Sequence, residues 1–135
     1  MNNRFKFRVW DVKNKKFLPE SYFAILGNGK LIVTISGYYN DFTNTNQDDY
    51  VIQQYTGLTD SNDKEIYGGD ILMYKTGSIP TTGVIGQVLY EADEGGYIFQ
   101  WERKGPNQHH INLNCDVAFE SVIVGNILEN PELLK

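Results

Sequence analysis

His109, His110 and Cys115 fall within seven residues, and Asp116 follows directly. An imidazole beside a thiol can take its proton and leave a nucleophilic thiolate, with a carboxylate to orient the base. The same side chains ligate zinc, provided three or four of them converge on one point. The spacing works against both chemistries. On a strand, His109 and His110 face opposite sides, so only one can share a face with Cys115. His109 has the right parity, but six extended residues place it ~20 Å from the thiol. The expectation is a small buried thiol and surface imidazoles, with no catalytic residue and no metal.

Two acidic groups invite similar scrutiny. Asp60-Ser61-Asn62-Asp63-Lys64-Glu65 has the flavour of a calcium loop. Lys64 takes the fifth place, Glu65 replaces the glycine, and Ile71 stands where a bidentate Glu is required. An exposed turn is the expected reading. Asp93 and Glu94 sit at a hairpin tip, and paired carboxylates divide acid and base roles only where their environments differ. No glycine loop of the Walker or dinucleotide type is present, and no cofactor is expected.

The N-terminal charge is more distinctive. Residues 1–16 carry six bases (Arg4, Lys6, Arg8, Lys13, Lys15 and Lys16) against Asp11, a local net of +5. The whole chain is at −5, so the other 119 residues hold −10. Residues Arg4 to Trp10 alternate, with Phe5, Phe7 and Val9 on one face. Arg4, Lys6, Arg8 and Trp10 fall on the other, a mixture of cations and a stacking ring that suits single-stranded nucleic acid. The competing reading is a basic sheet face neutralised by the acidic remainder, within the monomer or between subunits. The overall negative charge opposes polyanions at long range and favours that second reading.

The elements that must position these residues are strands. Val, Ile, Thr, Tyr, Phe and Trp make up roughly a third of the chain, and branched or aromatic side chains pack well on a pleated surface. Alanine, the best helix former, occurs only at Ala24, Ala92 and Ala118. Strands are expected at 4–10, 17–18, 22–26, 30–36, 50–56, 71–75, 83–91, 97–102, 109–114 and 122–128. Gly27-Asn28-Gly29 gives the strongest hairpin signal. Residues 40–49 read as a mobile polar loop, 57–69 as dense turn chemistry, and Pro131 to Leu134 as one helical turn. The fold class is mainly β with almost no helix. An N-terminal β-subdomain is expected over 1–49, and a small SH3-like barrel over 50–135, where short bent strands can hide their edges by closing. Apolar runs are too short for a membrane span, and no secretory signal is visible. The lone cysteine excludes an internal disulfide and, with the missing signal, gives a cytoplasmic expectation.

Three blocks carry a family resemblance: Lys6 to Asp11 (KFRVWD), Gln54 to Ile71 (QYTGLTDSNDKEIYGGDI) and Val124 to Leu134 (VGNILENPELL). In this order and spacing the chain resembles the YopX family of phage and prophage proteins. Departures fall at Asp63, where a glycine is common, and Gly69, where the pattern often carries an acid nearby. The resemblance implies a β-rich fold with an SH3-like C-terminal part and an origin in bacterial phages; it implies no mechanism. Read as residues, the middle block is structural: Gly57 and Gly68-Gly69 allow unusual backbone, and Asp70 can accept hydrogen bonds from turn amides. The functional expectation is a non-catalytic accessory protein acting by protein–protein contact. Tyr38, Tyr39 and Trp10 are offered as exposed aromatics for a partner or a second copy. The alternative is a nucleic-acid-binding barrel using Arg4, Lys6, Arg8 and Trp10.

Overall fold

The structure, a computed structural model, describes residues 4–34, 45–75, 83–102 and 108–134. It is mainly β, and the chain divides into two compact units. The smaller spans Phe7–Gln53; the larger takes Met1–Lys6 with Gln54–Lys135. The division falls inside a strand, four residues beyond the start of the barrel domain read from the sequence. Arg4, Phe5 and Lys6 belong with the C-terminal unit.

In the smaller unit, β1 (Phe7–Asp11) pairs antiparallel with β2 (Lys16–Phe17), placing Trp10 opposite Phe17. β3 (Phe23–Ile25) and β4 (Leu31–Val33) form the hairpin expected around Gly27-Asn28-Gly29. Gly29 sits at φ +85°, a conformation that a Cβ would strain. Val9, Leu31 and Val33 form the core, and Leu18, Phe23, Ile25 and Tyr50 pack on it.

The free edge of β4 is covered by side chains. Leu31 N–H donates to Gln47 Oε1 at 2.9 Å, and Gln47 Nε2 donates to Leu31 O at 2.8 Å. Val33 N–H donates to Thr45 Oγ1 at 2.9 Å. Residues 45–49 were expected in a mobile loop. Instead they are tied down, with Asn46 capping a 3-10 turn at Gln47–Asp49. The rest of that expected loop, and Tyr38 and Tyr39, lie outside the described residues.

Asp11 is 7% exposed and closes the β1–β2 turn. Its carboxylate accepts from Lys13 N–H, Asn14 N–H and Asn14 Nδ2 at 3.0, 3.1 and 2.7 Å. Burial pushes its pKa up, but the bonds from Asn14 and Lys13 and the nearby Lys16 charge outweigh that and hold it below the usual aspartate range. Between the native and unfolded pKa values the unfolded chain binds more protons. The stabilisation is therefore full above about pH 4 to 5 and is lost as pH falls through the native pKa. Asp11→Asn is expected to flatten this acid limb in urea midpoints measured across pH. An unchanged limb would show that the carboxylate contributes nothing through its charge.

β5 (Tyr50–Thr59) runs from one unit into the other. In the larger unit its later residues pair with β6 (Glu65–Tyr67), and the register shifts between Tyr55 and Thr59, where Gly57 adopts φ +87°. β6 was read as turn. It forms a strand because Ile66, fully buried, anchors it in the core. Next come β7 (Asp70–Lys75), β8 (Gly83–Glu91), β9 (Gly96–Glu102), β10 (Gln108–Asn112), the helix α1 (Cys115–Phe119) and β11 (Ser121–Asn126). A 3-10 turn at Pro131–Leu134 fulfils the expected helical turn. The five-stranded antiparallel sheet has order β10-β9-β8-β7-β11 and curls into a half-barrel. Its core is Ile66, Leu72, Val88, Phe99, Leu113, Val117 and Ala118. α1 is absent from the sequence expectation. It starts because Asn114 Oδ1 accepts from Val117 N–H at 2.9 Å, an N-cap that needs no periodic pattern.

Two buried aspartates pin the middle block. Asp60 Oδ1 accepts from Asn62 and Lys64 N–H at 2.9 and 3.0 Å, and its Oδ2 accepts from Ile123 N–H of β11 at 3.0 Å. Asp70 Oδ2 accepts from Tyr67 N–H at 2.8 Å, the turn amide anticipated for it. Its Oδ1 accepts from Asn126 Nδ2 at 3.1 Å.

Candidate functional site

The four residues of the expected basic face fall on both sides of the division between the units. Arg4 and Lys6 belong to the larger unit; Arg8 and Trp10 belong to the smaller. Trp10 was expected exposed and is 7% exposed. The short β2 folds back on β1, so the Phe17 ring meets Trp10 edge-on at 4.9 Å. The Arg8 guanidinium lies over that same Phe17 ring at 4.9 Å, and its Nη2 donates to Gln53 Oε1 at 3.0 Å. Lys6 Nζ bonds Glu65 Oε2 at 2.7 Å and sits 5.4 Å from the Tyr55 ring centre. The hydrogen bond to Glu65 is the main cause of a raised Lys6 pKa. Alternation alone misplaced Trp10, because it does not show that the directly opposite residue of the return arm, Phe17, lays its ring against the same face.

The thiol and imidazoles have separate surroundings. His109 is half-buried and stacks on Trp101 at 5.9 Å. His110, exposed, has Nε2 3.4 Å from Glu94 Oε1. Cys115 is exposed, which corrects the expected buried thiol. α1 turns Val117 and Ala118 into the core, leaving its first residue outside. Cys115 is accordingly expected to react with a thiol reagent in the native protein at a rate close to that in urea; strong native protection would contradict this placement. Among the described residues, no three of His, Cys, Asp and Glu gather as metal ligands would. The Asp60 carboxylate is buried and occupied by backbone amides, so this segment is a turn held from within.

A cleft of about 430 Å³ opens on the larger unit. Its walls include Arg4, Phe5, Tyr55, Tyr90, Tyr97 and Leu113, with Gln54, Thr56 and Leu58 of β5 and Gly95-Gly96 of the β8–β9 turn. The hairpin of β8 and β9 builds one side. Tyr90 pairs with Tyr97 across the ladder, and the rings meet edge-on at 5.5 Å. Gly95, left-handed at φ +67°, closes that hairpin. Leu113 N–H donates to Tyr97 O at 3.0 Å and holds Leu113 beside β9. Tyr55 N–H donates to Lys6 O at 2.8 Å and brings Arg4 and Phe5 alongside β5. Burial, with a smaller contribution from Tyr90, raises the Tyr97 pKa, so its hydroxyl stays protonated and able to donate at neutral pH. Arg4 is the one charged side chain in the lining among the described residues; its guanidinium rests 5.1 Å from the Phe5 ring centre. Phe5 is 65% exposed and Tyr90 60%. Sequence reasoning missed this cleft. Its one visible trace was the pair of tyrosines flanking the turn at 91–96.

Fold and cleft together define a class: a small, mainly β protein of two compact units, carrying a tyrosine-lined cleft on its larger one. The chain belongs to the YopX family, whose model, described as YopX protein, matches residues 6–135. It is similar to the crystal structure of protein EF1440 from Enterococcus faecalis, with 26% identity, TM-score 0.60, and 96% of this chain and 97% of that one covered. It is also similar in fold to the protein yopX from Bacillus subtilis, with 19% identity, TM-score 0.57 and both chains fully covered. No curated protein matches the chain. Among the described residues, no helix is long and apolar enough to cross a membrane.

Proposed function

We propose that this chain is a non-catalytic accessory protein of phage or prophage origin that acts in the bacterial cytoplasm by holding a protein partner. The observation that carries this reading is the cleft, where Phe5 and Tyr90 leave large rings in water beside Arg4. Aromatic residues and arginine are the side chains through which interfaces gain most of their energy. Among the described residues the imidazoles and the thiol are not in the cleft lining: His110 is beside Glu94, His109 on Trp101, and Cys115 next to Asp116. The nucleic-acid reading ranks second, because Trp10 is buried and Lys6 is engaged by Glu65. The test is crosslinking in the native host followed by mass spectrometry, with light scattering on the purified chain. One partner protein, or a second copy, crosslinked reproducibly is the expected result. Recovery of no specific protein, or an oligonucleotide shift that persists at physiological salt, would overturn it.

A further inference from the structure

We infer that the cleft on the larger unit binds a short extended segment of a partner protein, one that presents an acidic side chain next to an apolar one. The inference rests on the partner-holding reading and names its site and ligand class. The first argument is size. At about 430 Å³ the cleft falls in the range of ligand pockets, too small for a folded surface and suited to a single protruding segment. The second is charge. Among the described residues Arg4 is the only charged side chain in the lining; it is exposed, and its guanidinium lies over the Phe5 ring next to it. A guanidinium offers paired N–H donors that match one carboxylate. The third is the rest of the wall. Tyr55, Tyr90 and Tyr97 give apolar ring faces with hydroxyl tips, and Gln54 adds an amide that can bond peptide backbone.

The same features disfavour a nucleic-acid strand. Such a strand is held by neutralising several phosphates, and one cation does not do this. The chain's charge of −5 repels any anion at long range, but screening over about 8 Å leaves a single Arg–carboxylate contact to act locally. The apolar neighbour in the ligand follows from Phe5 and Tyr90, whose exposed rings gain about 25 cal/mol for each Å² covered.

The experiment is selection of displayed random heptapeptides on the whole chain, followed by affinity measurement with the recovered peptides in synthetic form. The expected result is a shared Asp or Glu beside an apolar residue. Arg4→Glu should weaken these peptides about tenfold or more, in line with loss of a charge-assisted bond, and Tyr90→Ser should weaken them as well. Arg4 is exposed, so Arg4→Glu is expected to keep the wild-type urea midpoint, whereas Tyr90→Ser gives up the ring contact with Tyr97 and should lower it slightly without unfolding the chain. Replacing the acid of a selected peptide by its amide should weaken binding to the wild-type chain, and by less than Arg4→Glu does, since the amide adds no repulsion. Peptides without an acidic consensus, or peptides that bind Arg4→Glu as well as wild type, would overturn the inference while leaving partner binding at another surface intact. Displacement of the peptides by a short single-stranded oligonucleotide, lost in Arg4→Glu, would instead assign the cleft to nucleic acid and overturn both.

Discussion

Gly86→Ala is expected to destabilise the chain by about 3 kcal/mol, one of the largest effects open to a single methyl group. Gly86 lies in β8, opposite Leu72 of β7. A Cβ placed there meets the Gln100 carbonyl oxygen of β9 and comes within 2.9 Å of Phe99 Cε2. Phe99 is fully buried and in the core, so its ring has little room to retreat. The Gln100 oxygen is backbone, so yielding means displacing a strand from its ladder. Gly96→Ala is the control. Nothing lies within 4 Å of its Cβ position and its φ is ordinary, so the change should be neutral or slightly stabilising. Urea midpoints for the two variants read the difference directly. Equal midpoints would mean that the sheet absorbs the methyl group by sliding.

Asp60→Ala is expected to cost a similar amount, about 3 to 4 kcal/mol, for a different reason. Asp60 is 2% exposed and its two oxygens serve three backbone N–H groups. Two of these are in its own turn. The third, Ile123, is in β11, so one carboxylate joins the β5–β6 connection to the far edge of the five-stranded sheet. Alanine leaves those donors without their acceptor, and no water of comparable geometry can follow into so closed a site. Asp60→Asn should fall between: its oxygen can still serve Asn62 and Lys64, but its amide nitrogen then faces the Ile123 N–H. A loss below about 1 kcal/mol for the alanine variant, read from urea unfolding, would show that the turn holds without this staple.

These two residues mark what a sequence can and cannot reveal. The strands were legible wherever β-branched and aromatic residues ran between Gly and Asn turns. Thus Gly83 to Glu91 is a strand as expected, and the hairpin around Asn28 stands. β6 was hidden because its three residues follow a dense run of turn formers, and only burial of Ile66 gives it away. α1 was hidden because five residues are too few to show a helical period, so a single cap from Asn114 decides it. Asp70 could be assigned a turn-capping role in advance, since it follows Gly68-Gly69 and opens its own strand. The reach of Asp60 to Ile123, 63 residues away, follows only from topology. The cleft is illegible for the same reason: Arg4 and Tyr97 are distant in sequence and meet around one hollow only after β5, β8 and β9 are in place. Trp10 shows the opposite failure, a local pattern read correctly as a strand and then covered by its own return arm.

The two polar side chains lying along β4 have a consequence for behaviour at high concentration. An uncovered strand margin is a template on which further chains can stack into fibres. Gln47 meets both the N–H and the carbonyl of Leu31, as a neighbouring strand would, yet a single side chain offers no continuing ladder for another to join. Growth from that side is therefore blocked at Leu31, and among the described residues the β3–β4 hairpin is guarded against amyloid-like stacking by side chains.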